Sequence, residues 1–199
     1  MKKVITIICI TMAFYMNAQL IVDDFTTGNL NNTVFDLGES GALFQTGNSI
    51  IGKSRRIHVN VRKNPFEQDI KVAVKSNLLA ISASYDTRGT VYVGYGKDKT
   101  DRAAPMNLNL SKYKNLKIEF EGKSTINGIY VSMFTGTSRA VYSKHVAARE
   151  GVLVFTIPLK DFEKIGANYT IKDIDQIRFQ FDSRSKTGCN MAINKIWFE

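Results

Sequence analysis

Residues Gln176-Ile177-Arg178-Phe179-Gln180-Phe181-Asp182 alternate polar and apolar side chains without a break. A period of two marks a β-strand with one face on a core and the other toward water. Ile177, Phe179 and Phe181 then point inward, while Arg178 and Gln180 point outward. The same rhythm recurs on either side of this stretch. Ile57, Val59 and Val61 alternate with His58, Asn60 and Arg62. Ile70, Val72 and Val74 alternate with Lys71, Ala73 and Lys75, and Leu116, Ile118 and Phe120 with Lys117, Glu119 and Glu121. Ile129, Val131 and Met133 are placed inward, with Tyr130, Ser132 and Phe134 outward. The apolar members are mostly β-branched or aromatic, the types that fit a pleated, half-buried surface.

Turn signals cut these runs at strand-length intervals. Asp86-Thr87-Arg88-Gly89 predicts a hairpin between residues 78–85 and 90–95. Thr135-Gly136-Thr137-Ser138 predicts a second hairpin, between residues 129–134 and 139–146. Helical periodicity is scarce; residues 108–113 and 159–165 read as turns or short helices. Ten to twelve short strands are expected, and that number needs two packed sheets. The fold expected is all-β, a two-sheet antiparallel β-sandwich of jelly-roll type.

Lys2 and Lys3 precede an apolar run from Val4 to Tyr15, and Met16-Asn17-Ala18 closes it on a small residue. This is the layout of a secretory signal peptide. The run is shorter than the roughly 20 residues a spanning helix needs. Residues 1–18 are therefore expected to be removed, leaving 19–199 as a single β-sandwich domain with no transmembrane segment. The compartment expected is periplasmic, cell-surface or extracellular. Cys9 leaves with the peptide, so Cys189 has no internal partner and the fold rests on packing rather than disulfides.

The net charge is +9, and loss of Lys2 and Lys3 brings it to +7. The basic residues are spread along the chain, with no dense block interleaved with aromatics. That pattern argues against a nucleic-acid interface. It suits a solvated basic surface or affinity for acidic polymers.

Six stretches, in order, resemble the strands of carbohydrate-binding modules and galactose-binding-like jelly rolls of exported bacterial proteins. They are Leu20–Phe25, Ser49–Ile57, Leu108–Ile118, Phe155–Phe162, Asp175–Phe181 and Ala192–Phe198. The resemblance implies that the first and last strands lie side by side, and that a glycan or polysaccharide is the ligand. It also implies a structural calcium near the first strand, where Asp23 and Asp24 are the candidate carboxylates. Adjacent strand residues point to opposite faces, so one of the two at most joins a given site. No other acidic cluster completes a metal motif.

The candidate glycan site is an outward sheet face carrying Tyr130, Phe134, Tyr142, Arg178 and Gln180. Aromatic faces accept the C–H side of a sugar ring, and Arg and amide groups exchange directed hydrogen bonds with hydroxyls. A second candidate surface is Tyr85-Asp86-Thr87-Arg88 with Tyr92 and Tyr95, and Lys97–Ala104 forms the longest polar loop. No catalytic signature is present: His58 and His145 lack metal spacing, and Asp98 and Asp101 are paired only in sequence. The expected function is non-catalytic carbohydrate binding. The alternative is a structural or protein-interaction component, an adhesin or envelope subunit with secreted or envelope protein partners.

Overall fold

A computed structural model describes residues 19–36, 38, 40–64, 66, 69–122, 128–145, 151–183 and 189–199. The segment assigned to a signal peptide, residues 1–18, lies outside the described residues.

Fourteen strands are present among the described residues. They are β1 (Leu20–Asp23), β2 (Leu30–Phe35), β3 (Ser40–Thr46), β4 (Ser54–Lys63), β5 (Ile70–Lys75), β6 (Leu78–Ala83) and β7 (Arg88–Tyr95). The second half of the chain forms β8 (Asn115–Glu121), β9 (Gly128–Thr135), β10 (Ser138–Lys144), β11 (Leu153–Pro158), β12 (Glu163–Ile165), β13 (Gln176–Ser183) and β14 (Cys189–Phe198). They form two antiparallel sheets of seven strands. The first sheet runs β11-β8-β14-β6-β5-β2, with β1 added beside β14. The second runs β12-β10-β9-β13-β7-β4-β3. The sandwich expected from the alternation is the fold that forms, and β1 pairs with β14 as the resemblance implied.

The inward phase of β4, β5, β8, β9 and β13 matches the sequence reading. Ile57, Val93, Val131, Ile177 and Phe179 of the second sheet are fully buried. They share one continuous core with Val72, Leu79, Ile118 and Ile193 of the first sheet. Removing such apolar surface from water supplies about 25 cal/mol per Å².

Two hairpin expectations meet different outcomes. β9 and β10 do form a hairpin through Gly136 and Thr137, in register from Ser138 opposite Thr135. Residues 84–87, by contrast, do not close a hairpin: β6 belongs to the first sheet and β7 to the second. The chain crosses the sandwich there, with Thr87 buried and its carbonyl taking a hydrogen bond from Ser183 Oγ at 3.0 Å. β6 turns instead onto β5 through Ser76 and Asn77, both at positive φ (55° and 61°). That is the backbone of the tight hairpin turn whose twist matches its strands, and Asn tolerates it. A turn signal marks a change of direction; it does not say whether the next strand pairs with the last or crosses to the other sheet.

A buried polar cluster ties the two sheets together. Arg55 on β4 is fully buried and donates from Nη1 to Asp23 Oδ2 of β1 at 2.6 Å. Its other donors reach Gln45 Oε1 at 3.0 Å and the Gly28 carbonyl at 2.8 Å. The Tyr95 hydroxyl on β7 donates to the same Asp23 oxygen at 2.9 Å, and Phe25 N–H donates to the other. Burial pushes the Asp23 carboxyl up from its ordinary value, and the Arg55 charge pulls it back. Burial also drives the Tyr95 hydroxyl well above 10. Asp23 is thus neutralised by a guanidinium, and Asp24 accepts hydrogen bonds from Thr26 N–H and Oγ1. No group of three or more metal-ligating side chains occurs among the described residues. The Asp23 carboxylate is spent on Arg55, the Tyr95 hydroxyl and the Phe25 N–H, so it is not free to ligate a cation.

Candidate functional site

The outer face of the second sheet carries the site, and strand register builds it row by row. His58 of β4 lies opposite Tyr92 of β7, Tyr92 opposite Gln180 of β13, and Gln180 opposite Tyr130 of β9. The next row holds Arg56, Gly94, Arg178 and Ser132, and Phe134 lies beside Gln176 one row further. Alternation places all these side chains on the face away from the core.

A groove of about 470 Å³ opens along this face. Arg56, His58, Asn60, Tyr92, Gly94, Phe134, Gln176 and Arg178 line it, with Lys97 and Asp101 at its rim. Gly94 has ordinary backbone geometry, and a Cβ placed on it would meet nothing closer than the Arg56 carbonyl at 3.9 Å. Its lack of a side chain leaves the floor open between Arg56 and Arg178. Those two residues stand two strands apart, about 10 Å between Cα atoms at sheet spacing.

The aromatic groups are ordered by their neighbours. The His58 and Tyr92 rings are near parallel, 17° apart with centroids at 5.8 Å. The Arg178 guanidinium lies between Tyr92 and Phe134, 5.5 Å from each ring centroid. Burial lowers the His58 pKa below 6.5 and the Arg56 charge lowers it further, while Asp101 opposes them. His58 is therefore neutral at pH 7, with one ring nitrogen donating and one accepting.

The polar loop is tied by local hydrogen bonds. Asp98 Oδ1 accepts from Thr100 N–H and Oγ1, both at 2.8 Å, and from Arg102 N–H at 2.9 Å. This Asx turn closes the loop, and the Asp98 N–H donates to the Arg102 carbonyl. The closed loop holds Asp101 against the groove, where its Oδ1 meets Arg56 Nη1 at 2.8 Å and Lys97 Nζ at 2.9 Å. The hydrogen bond from Lys97 lowers the Asp101 pKa, and Thr100 lowers that of Asp98. Both carboxylates are held ionised, whereas a general acid needs a raised pKa.

The structure brings together four of the five candidate residues. Tyr130, Phe134, Arg178 and Gln180 share the outer face, and Phe134 and Arg178 line the groove itself. Gln180 donates to Asp182 Oδ1 at 3.1 Å, and the Tyr130 ring leans back over Gly128. Tyr142 is not brought there. It lies opposite Val131, in an inward row, and its ring packs on Phe162 with centroids 5.6 Å apart. The second candidate set is dispersed. Tyr85 is exposed and packs on Phe66, Tyr92 lies in the groove, and Tyr95 is buried on Asp23. Arg56, His58, Asn60 and Gln176 line the groove although the sequence reading assigned them to no site. The outward phase of Arg56, His58 and Asn60 was visible in the alternation around Ile57 and Val59; the pairing of β4 with β7 was not.

No family model matches the sequence, and no curated protein matches it. Several solved structures have a similar chain path. One is the family 11 carbohydrate-binding module of the cellulosomal cellulase Lic26A-Cel5E of Clostridium thermocellum. It shares 12% identity over 91% of this chain and 94% of its own, with a TM-score of 0.43. A mutant of a family 29 carbohydrate-binding module shares 7% identity over 91% of this chain and 90% of its own (TM-score 0.42). An agarase shares 10% identity over 92% of this chain but only 25% of its own (TM-score 0.47). With identities this low and TM-scores below 0.5, these likenesses carry no argument about ligand.

Proposed function

We propose that this chain is an exported, non-catalytic carbohydrate-binding protein that holds a polysaccharide segment in the groove of the second sheet. The observation that carries this reading is the groove's lining. Three outward-facing rings, two amides and two guanidiniums from four strands converge on one groove. Rings offer apolar faces to the C–H side of a sugar, while Asn60, Gln176 and neutral His58 offer both donors and acceptors to hydroxyls. A lining drawn from four adjacent strands is wide enough for a chain segment rather than a single sugar. Rigid strands hold every one of these groups except the rim residues Lys97 and Asp101, so little order has to be imposed on binding.

Gly94→Leu tests the reading. Space is available for the new Cβ, so the fold should persist while the side chain fills the floor. Titration of the wild type against immobilised polysaccharides should show saturable binding, with a loss of at least about tenfold in the variant. Unchanged binding in a folded Gly94→Leu would remove the groove from consideration. An absence of binding by the wild type would favour the protein-interaction role, followed by pull-downs from the native envelope.

A further inference from the structure

We infer that the groove selects an acidic polysaccharide, with Arg178 as the residue that takes the sugar's anionic group and Arg56 as the second cation. This rests on the carbohydrate-binding reading above and names the ligand class for the same groove.

Three observations converge on it. First, Arg178 is exposed and has no acidic partner among the described residues, yet it is not loose: Tyr92 and Phe134 hold its guanidinium from either side. A guanidinium fixed by aromatic faces, with its N–H fork unspent on any carboxylate among the described residues, is pre-organised for bidentate capture of a carboxylate or sulfate. Second, the lining is unbalanced in charge. Arg56, Lys97 and Arg178 face one carboxylate, Asp101, and His58 is neutral at pH 7. Third, the groove already binds a carboxylate, its own. Asp101 accepts from both Arg56 and Lys97 at ion-pair distance, on a loop shaped to present it. Cations that hold an internal carboxylate can hold an external one. Asp101 therefore occupies Arg56 and Lys97 together, and Arg178 remains open about 10 Å along the floor from Arg56. A neutral glycan would leave the Arg178 charge unanswered, whereas an acidic one would complete it.

The test compares glycans of the same backbone with and without charge. Purified protein is titrated with polygalacturonate and its fully methyl-esterified form, and with sulfated agarose and agarose. We expect each charged member to bind at least about tenfold more tightly than its neutral counterpart. The pair with the larger gap distinguishes carboxylate from sulfate. The gap should shrink about tenfold as salt rises from about 0.05 to 0.5 M, because a solvated ion pair is screened. Arg178→Gln should close the gap to within about twofold, because affinity for the charged member falls much further than affinity for the neutral one. Asp101→Asn supplies an independent check: it removes the competing carboxylate and frees Arg56, and should tighten acidic binding by about threefold or more.

Equal affinity for charged and neutral members, or a gap that survives in folded Arg178→Gln, overturns the inference but leaves the carbohydrate-binding reading intact. An equal-fold loss of neutral and acidic binding in Arg178→Gln also overturns it. Failure of the wild type to bind any glycan overturns both.

Discussion

Replacing Asp23 by Asn isolates the charge of the polar bolt between the sheets while keeping its shape. Asp23 and Arg55 are both 0% exposed and meet at 2.6 Å. Asn can still accept one hydrogen bond from Arg55, but the guanidinium is left buried without its counter-charge. Breaking a buried pair from one side costs about 3–5 kcal/mol. At roughly 2–4 °C per kcal/mol for a domain of this size, the melting temperature should fall by about 6–20 °C. Equilibrium urea unfolding supplies the free energy, read from the single tryptophan. Trp197 suits the purpose because it is buried where β1 and β14 pair, outside the groove lining. The double variant Asp23→Leu with Arg55→Met removes both charges and should recover at least half of the loss. In Arg55→Met alone, burial acts on Asp23 without the charge that pulled its pKa back. The carboxyl then binds a proton more readily folded than unfolded, so this variant should lose stability as pH rises through that raised pKa. A shift in Asp23→Asn below about 1 kcal/mol, or a double variant no better than the sum of the singles, would refute the reasoning.

His58 should titrate below 6.5 in a proton NMR experiment, because burial and Arg56 both disfavour its cation. Its folded pKa is depressed, so its contribution to stability is complete above about 6.5 and is lost as pH falls toward the folded value. Asp101→Asn removes the one charge that favours the cation and should move the His58 midpoint lower still; an upward move would contradict the geometry. Cys189 is buried and burial pushes its thiol up to about 11, so a thiol reagent at pH 8 should label it only as fast as the protein unfolds. Tyr142→Ala should cost roughly 1–3 kcal/mol in urea unfolding through lost packing on Phe162 and leave glycan affinity unchanged; a binding loss without destabilisation would return Tyr142 to the site.

Phase within each strand could be read directly from the residues, because alternation is a local property set by the pleat. That reading put Ile177, Phe179 and Phe181 in the core and Arg178 outside it, and it placed Tyr130 and Phe134 on the same outer side. The β9–β10 hairpin was legible for the same reason, as Thr135-Gly136-Thr137-Ser138 closes its turn locally. Tyr142 shows where a local reading ends. Its neighbourhood on the hairpin was right, but its side of the sheet depends on the register across the turn, and Tyr142 stands opposite inward Val131.

The groove itself was decided by tertiary pairing. β13 lies between β7 and β9, and β7 between β13 and β4, although these strands are far apart in the chain. Only that order sets Arg178 between Tyr92 and Phe134 and leaves Gly94 as an open floor beside Arg56. The Asp23–Arg55–Tyr95 bolt likewise joins residues from three separated strands. Residue type and period determined the strands, their buried faces and the sandwich class. They could not determine which strands become neighbours, because that choice is made by the packing of whole sheets. Long-range pairing competes on the free energy of the complete core, to which no single segment's pattern gives access.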